Sequence, residues 1–343
     1  MKKSGKYLLA LMLLALVLII YQYYPALNII TGYSSKNMAS GLFLADRDQI
    51  SMEEEDNGFF PISLASYDVN MEDKTVSASI FGLMKRKAIY IDGLGGMLIN
   101  EDYSPEMEFK VPRRNLLKNI SGYPFGNKYQ RDTVFEEIDN EQLQLAVEKA
   151  FDRKGEKEQQ TRSVLVIYKD KIIAEKYAEG FDQESLMHGW SMTKSLTSTI
   201  YGVLQRQGKI NINAPSGIED WQNDDRKEIT INDLLHMNSG LEWEEEYFDI
   251  SDVTTMLYME SDMGISQVDN DLVGKPDSLW NYSSGTTNIL SGPILRAQFS
   301  DHQQYLDYWY SDLIDKIGMH SMVVETDLEG NYIGSSYAWA TTR

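Results

Sequence analysis

The sequence predicts an α+β protein in which antiparallel strands are flanked by helices, behind an N-terminal transmembrane helix. Three observations predict it. Apolar residues recur every three to four positions through 192–204; β-branched and aromatic runs flank short polar turns; and a strongly apolar stretch follows lysines at the N-terminus.

Lys2, Lys3 and Lys6 precede an uncharged stretch from Tyr7 to Ser35. Its most apolar part, Leu8 to Ile20, is followed by Tyr21, Tyr23 and Tyr24 at the expected interface. Residues 1–35 therefore read as a signal-anchor with the N-terminus inside. A cleaved signal peptide is the alternative, but no small-x-small site follows closely. Either reading places the chain from Lys36 outside the cytoplasmic membrane, periplasmic or extracellular. The anchor form is single-pass, with the membrane as a partner.

Residues 36–135 read as an extracytoplasmic accessory region. Lys74–Phe81 and Ala88–Ile91 have strand composition, and Gly93-Leu94-Gly95-Gly96 reads as a turn. It is not a phosphate loop, because no Lys-Ser/Thr follows and the glycine spacing is wrong. Glu137 to Asp152 is expected to be a helix. Ser163–Tyr168 and Ile172–Tyr177, either side of Lys169-Asp170-Lys171, read as a hairpin. A helix follows Trp190, with Met192, Leu196, Ile200, Val203 and Leu204 as its buried stripe and Gly208 as its stop. Ser300-Asp301-His302-Gln303 reads as a capping box ahead of Tyr305, Trp309, Leu313 and Ile317, with Gly318 closing that helix.

Composition narrows the chemistry. The formal net charge is −20, which opposes binding to phosphate backbones, so no nucleic-acid partner is expected. The runs Glu53–Asp56 and Glu244–Glu246 read as solvated acidic surface. Cysteine is absent and His188, His236, His302 and His320 show no metal-ligand spacing, so neither a cofactor nor a metal is expected.

The most informative segment is Trp190-Ser191-Met192-Thr193-Lys194-Ser195, the only Ser-x-x-Lys in the chain. Residues three apart at a helix start share a face, so a lysine amine there can reach the serine hydroxyl. The helix end favours an oxyanion near the Ser191 N–H and disfavours a lysinium. Lowering a lysine from ~10.4 to near neutrality costs roughly 4 kcal/mol, more than a helix end supplies, so burial and a polar partner such as a tyrosine are required. His188, three residues before Ser191, reads as a hydrogen-bonding loop residue.

Together with the hairpin, the Ile229–Leu241 stretch (Ile-Thr-Ile-Asn-Asp-Leu-Leu-His-Met-Asn-Ser-Gly-Leu) and Trp280–Leu290 (Trp-Asn-Tyr-Ser-Ser-Gly-Thr-Thr-Asn-Ile-Leu), this segment resembles the class C β-lactamase-like serine hydrolases. That family includes penicillin-binding proteins, esterases, D-aminopeptidases and 6-aminohexanoate-dimer hydrolases. The resemblance covers roughly residues 136–343. It implies a serine β-lactamase/DD-peptidase-like fold with a helical subdomain, and hydrolysis of a small-molecule or peptide-like ester or amide through an acyl-enzyme. By the same resemblance Ser191 matches the nucleophile, Lys194 its base and Tyr282 the proton relay. Ser284 stands where β-lactamases carry asparagine and, with Tyr247, is a candidate for binding substrate. Losing that amide argues away from β-lactams and towards esterases and amide hydrolases. A β-lactam-recognising enzyme and a catalytically silent envelope binding protein are the alternatives. The region resembling Gly334–Arg343 is followed in the family by a third motif of the His/Lys-x-Gly type and further strands. The resemblance therefore implies a hydrolase domain incomplete at its C-terminus.

Overall fold

The computed structural model describes residues 3–116, 122, 134–151 and 159–342. Lys2, Asp152 and Arg343 lie outside these.

Helix α1 (Lys3–Phe43) runs unbroken through Pro25. A single turn, α2 (Gln49–Ser51), leads to four antiparallel strands: β1 (Ala65–Asn70), β2 (Thr75–Ile80), β3 (Leu83–Ile91) and β4 (Gly95–Ile99), paired in that order. The second half of α1 lies across this sheet. Met38 and Ala39 pack with Met52, Val76 and Ala88 in a closed apolar cluster. Lys36 is fully buried there. Its ammonium donates to the carbonyl of Gly96 and, at 2.6 Å, to the carboxylate of Glu325.

These contacts correct the expectation of an N-terminal transmembrane helix. Among the described residues, no helix is long and apolar enough to cross a membrane. Leu8 to Ile20 is 13 residues, against the ~20 that a hydrocarbon core requires. Beyond it α1 turns polar and is committed to the protein's own core, with Thr31, Ser34, Ser35, Lys36, Asn37 and Ser40 all buried. The signal-anchor and the single-pass localisation in the cytoplasmic membrane, with the membrane as a partner, fall with it.

The expected helix after Glu137 is α3 (Asn140–Lys149), capped by Asp139, whose carboxylate accepts the Gln142 N–H at 3.0 Å. The expected hairpin is β5 (Ser163–Tyr168) against β6 (Lys171–Tyr177). A further three-stranded antiparallel sheet has the order β7 (Met187–His188), β9 (Ala338–Ala340), β8 (Val323–Val324). Among the described residues the strands are thus divided among three separate sheets, while the α+β class holds.

Helix α4 (Thr193–Arg206) is the central element. One side places Ile200 and Leu204 against α8 (His302–Trp309) and the turn after it, through Tyr305, Trp309 and Leu313. The other side buries Tyr201 against Trp221, Ile229, Leu234 and Leu290. Met192, expected in the buried stripe, is instead 71% exposed, because it sits in the tight turn ahead of the helix. Asp301, not Ser300, caps α8, accepting the Gln304 N–H at 3.0 Å. Gly208 ends α4 and Gly318 closes the turns that follow α8, at φ +69° and +81°, where a side chain is disfavoured.

Candidate active site

Ser191 lies in the single tight turn Trp190–Met192 that feeds α4. Trp190 is held at φ +42°, a sparsely populated region for a bulky residue. Its surroundings over-determine that geometry. The Trp190 ring packs 4.2 Å from His188, 5.5 Å from Tyr337, and parallel to Tyr33 of α1 at 6.2 Å. The Gly189 N–H donates to the Ala338 carbonyl at 2.7 Å, and the Thr193 hydroxyl to the Trp190 carbonyl at 2.7 Å. Ser191 is therefore set by packing on both sides. His188 belongs to β7 rather than a loop. Its ring stacks on Trp339 and bonds the Ser336 carbonyl at 3.1 Å, and burial pushes its pKa down to about 3.

Lys194 Nζ faces three oxygens: Ser191 Oγ at 3.1 Å, Ser284 Oγ at 2.9 Å and the Ser335 carbonyl at 3.0 Å. It also stands 4.8 Å from the ring centre of Tyr282. Burial lowers its pKa, partly opposed by Tyr282 and by the charge of Glu245. A lysinium donates to all three oxygens. A neutral amine keeps two N–H donors, enough for Ser284 and Ser335, and turns its lone pair to the Ser191 hydroxyl.

The partners arrive from separate elements. α5 (Ile231–Leu235) opens with a reciprocal cap between Thr230 and Asp233, and the chain leaves it so that the Met237 carbonyl accepts the Asn281 N–H at 2.9 Å. Asn281 Nδ2 donates to the Trp243 carbonyl at 3.0 Å. These bonds brace the loop that carries Tyr282 into α7 (Ser284–Ile289), where Ser283 caps the helix by accepting the Thr286 N–H at 2.9 Å. Ser335 is brought up by Gly334, whose missing side chain leaves room for Ser291 and Thr197; the Thr197 hydroxyl donates to the Gly334 carbonyl at 3.0 Å. The Ser335 N–H donates to Asn288 Oδ1 at 3.0 Å.

Two participants escaped the sequence reading. Glu245, read as solvated acidic surface, turns into the site. Its carboxylate accepts the Ser284 N–H at 2.8 Å, the Ser284 hydroxyl, the Tyr247 hydroxyl at 2.7 Å and the indole N–H of Trp243. The available signal was the period-two run Trp243-x-Glu245-x-Tyr247, which puts two aromatics and a carboxylate on one side of an extended segment. Ser335 takes part through its backbone carbonyl, which no residue type announces. All five expected site residues, Ser191, Lys194, Tyr282, Ser284 and Tyr247, share this neighbourhood.

Ser191 also lines an apolar pocket of about 450 Å³. α1 supplies one wall with Ala26, Ile29, Ile30 and Tyr33; Trp190, Tyr247, Phe248 and Tyr258 of α6 (Asp252–Tyr258) supply much of the rest.

A family described as Beta-lactamase matches residues 147–340, more than half of the chain. The protein belongs to this family of serine hydrolases. No curated protein sequence matches it. Among solved structures, it is similar to one described as a 6-aminohexanoate-dimer hydrolase from Bacillus anthracis, at 18% identity and a TM-score of 0.47, over 53% of this chain and 51% of that one. FmtA from Staphylococcus aureus is 14% identical, with a TM-score of 0.44 over 62% of this chain and 64% of that one. The D-amino acid amidase from Ochrobactrum anthropi SV3 is 16% identical, with a TM-score of 0.40 over 52% and 61%. The beta-lactamase-family chain described here thus spans between half and two thirds of the length of these proteins.

Proposed function

We propose that the protein hydrolyses an ester or amide bond through an acyl-enzyme on Ser191. The observation that carries this is the Lys194 amine 3.1 Å from the Ser191 hydroxyl, in surroundings whose burial disfavours the ammonium form. Ser191 Oγ attacks the carbonyl carbon while its proton passes to the Lys194 lone pair, giving a tetrahedral oxyanion and a lysinium. The N–H of Ser191, in the tight turn that leads into α4, is the candidate donor to that oxyanion. Collapse breaks the bond to the alcohol or amine, which takes a proton from Lys194 or through Tyr282. The acyl group remains on Ser191. A water molecule then attacks the new ester, its proton returning by the same groups, and releases the acid. Ser284 and Glu245 orient Lys194 throughout. Labelling with a fluorophosphonate and turnover of p-nitrophenyl acetate test this reading. Both are expected of the parent protein and lost in Ser191→Ala. Undiminished labelling of a folded Ser191→Ala variant overturns it.

A further inference from the structure

We infer that the pocket walled by α1 receives the acyl part of the substrate, and that this part is an uncharged aliphatic chain. The inference rests on the acyl-enzyme reading above and adds the substrate class. Three features of the pocket carry it.

The first is position. Ser191 lines the pocket, whereas Lys194, Tyr282 and Ser284 do not. A leaving oxygen or nitrogen has to lie beside the groups that protonate it, on the Lys194 side. The portion that stays on Ser191 is then the portion that can extend into the pocket.

The second is polarity. Among the described residues, the lining includes no lysine, arginine or histidine, so a carboxylate on the acyl chain would enter without a partner, at a high desolvation cost. Three of the polar side chains in the walls are engaged with the protein. The Tyr247 hydroxyl donates to Glu245, the Thr254 hydroxyl donates to the Asp249 carbonyl at 2.9 Å, and the Asp249 carboxylate accepts the Ile250 N–H at 2.8 Å. Most of what remains for a ligand is hydrocarbon, from Ala26, Ile29, Ile30, Ile62 and the aromatic faces, and the one charged wall residue, Asp249, repels rather than pairs a carboxylate.

The third is size and rigidity. At about 450 Å³ the pocket falls within the ~300–1,000 Å³ of small-molecule sites, far more than an acetyl group fills. Its α1 wall is fixed from behind, since the same helix is pinned further along by the buried pair of Lys36 and Glu325.

The test is a series of p-nitrophenyl esters from acetate through butyrate to octanoate, with fluorophosphonate labelling of the same preparations. Each methylene that enters the pocket is expected to raise kcat/KM by up to about fourfold, a ceiling of about 4,000-fold for the six that separate acetate from octanoate, and octanoate is expected to exceed acetate by at least about 100-fold. Ala26→Trp, which fills the pocket from the α1 side, is expected to cut the octanoate-to-acetate ratio at least tenfold. Ile30→Ala, which adds no bulk, is expected to move the optimum to a longer chain. Labelling with a flat chain-length series in the parent, or the parent's ratio retained in a folded Ala26→Trp, overturns the pocket assignment and leaves the acyl-enzyme reading in place. Absence of both labelling and acetate turnover in folded protein overturns the reading beneath it.

Discussion

The carboxylate of Glu245 accepts both the backbone N–H and the hydroxyl of Ser284, and the same hydroxyl oxygen accepts from Lys194. A negative charge is thereby held one residue away from a buried amine. Burial lowers the Lys194 pKa, and Glu245 acts in the opposite direction. Together with Tyr282, which acts in the same direction as Glu245, they set how much of the lysine is neutral at a given pH.

Removing that charge has a predictable sign. In the proposed mechanism activity requires the neutral amine, so kcat/KM is expected to rise as pH increases through the Lys194 pKa. Glu245→Gln withdraws a contribution that raises this pKa, and the acid limb of the profile is expected to move to lower pH. The amide retains a carbonyl acceptor for Ser284, so the plateau is expected to fall by no more than about tenfold, the net worth of one hydrogen bond. A pH–rate profile with p-nitrophenyl acetate checks both. An acid limb that stays in place would show that Glu245 has no electrostatic role.

Ser191 and Lys194 are expected to behave as one unit. Lys194→Ala should reduce kcat by ~10²–10⁴, the usual range for a positioned proton acceptor. Adding it to Ser191→Ala should cost almost nothing more, since the base has no hydroxyl left to serve. Full additivity in the double variant would assign the two residues to independent roles.

The sequence made the local constellation legible because its information was short-range. Ser191 and Lys194 are three residues apart at a helix start, and Tyr282 sits in a motif with its own cap at Ser283. Glu245 was not legible, because a glutamate among glutamates has the composition of solvated surface. Only the tertiary meeting of Trp243, Tyr247 and Ser284 turns it inward. The N-terminal reading failed for a related reason. An apolar run beside lysines fits a membrane helix, yet Thr31, Ser35, Lys36 and Asn37, which follow it, find partners within the protein, most plainly Lys36 with Glu325, 289 positions away.

That pair supports a stability prediction. Lys36 and Glu325 are both essentially without solvent contact, and the lysine also lies 4.1 Å from the centre of the Tyr337 ring. Removing one partner leaves an uncompensated buried charge, so Lys36→Ala is expected to destabilise the fold by ~3–5 kcal/mol. Replacing both, as Lys36→Met with Glu325→Leu, should recover much of the loss, because no charge then remains to be desolvated. Urea unfolding of the parent, single and double variants measures this. A double variant no more stable than Lys36→Ala would mean that the Gly96 carbonyl and Tyr337 contacts, rather than the ion pair, hold α1 in place.

The final prediction concerns Asp327. Its carboxylate is buried and accepts the N–H groups of Met263 and Asn331, at 2.9 and 2.8 Å. Asn331 Nδ2 bridges it to Asp262, at 3.1 and 2.9 Å, while Arg296 reaches the other side of Asn331 at 2.8 Å. Burial, then the nearby charge of Asp262, pushes Asp327 up to about 7 from the ordinary 3.8. Between those values the folded state binds a proton that the unfolded state has released. Stability from this group is therefore full below the lower value and declines as pH rises through the upper one. At ~1.4 kcal/mol for each pH unit crossed, the loss between pH 5.5 and 8 is ~2 kcal/mol. Asp327→Asn cannot ionise and misplaces an amide against two N–H donors, so it should be less stable than the parent at pH 5.5. Its advantage lies in the slope: it should lose ~2 kcal/mol less than the parent on going to pH 8. Guanidinium unfolding at the two pH values gives four free energies. Parallel losses in parent and variant would show that Asp327 is already ionised in the fold at pH 5.5, with its two backbone donors outweighing burial.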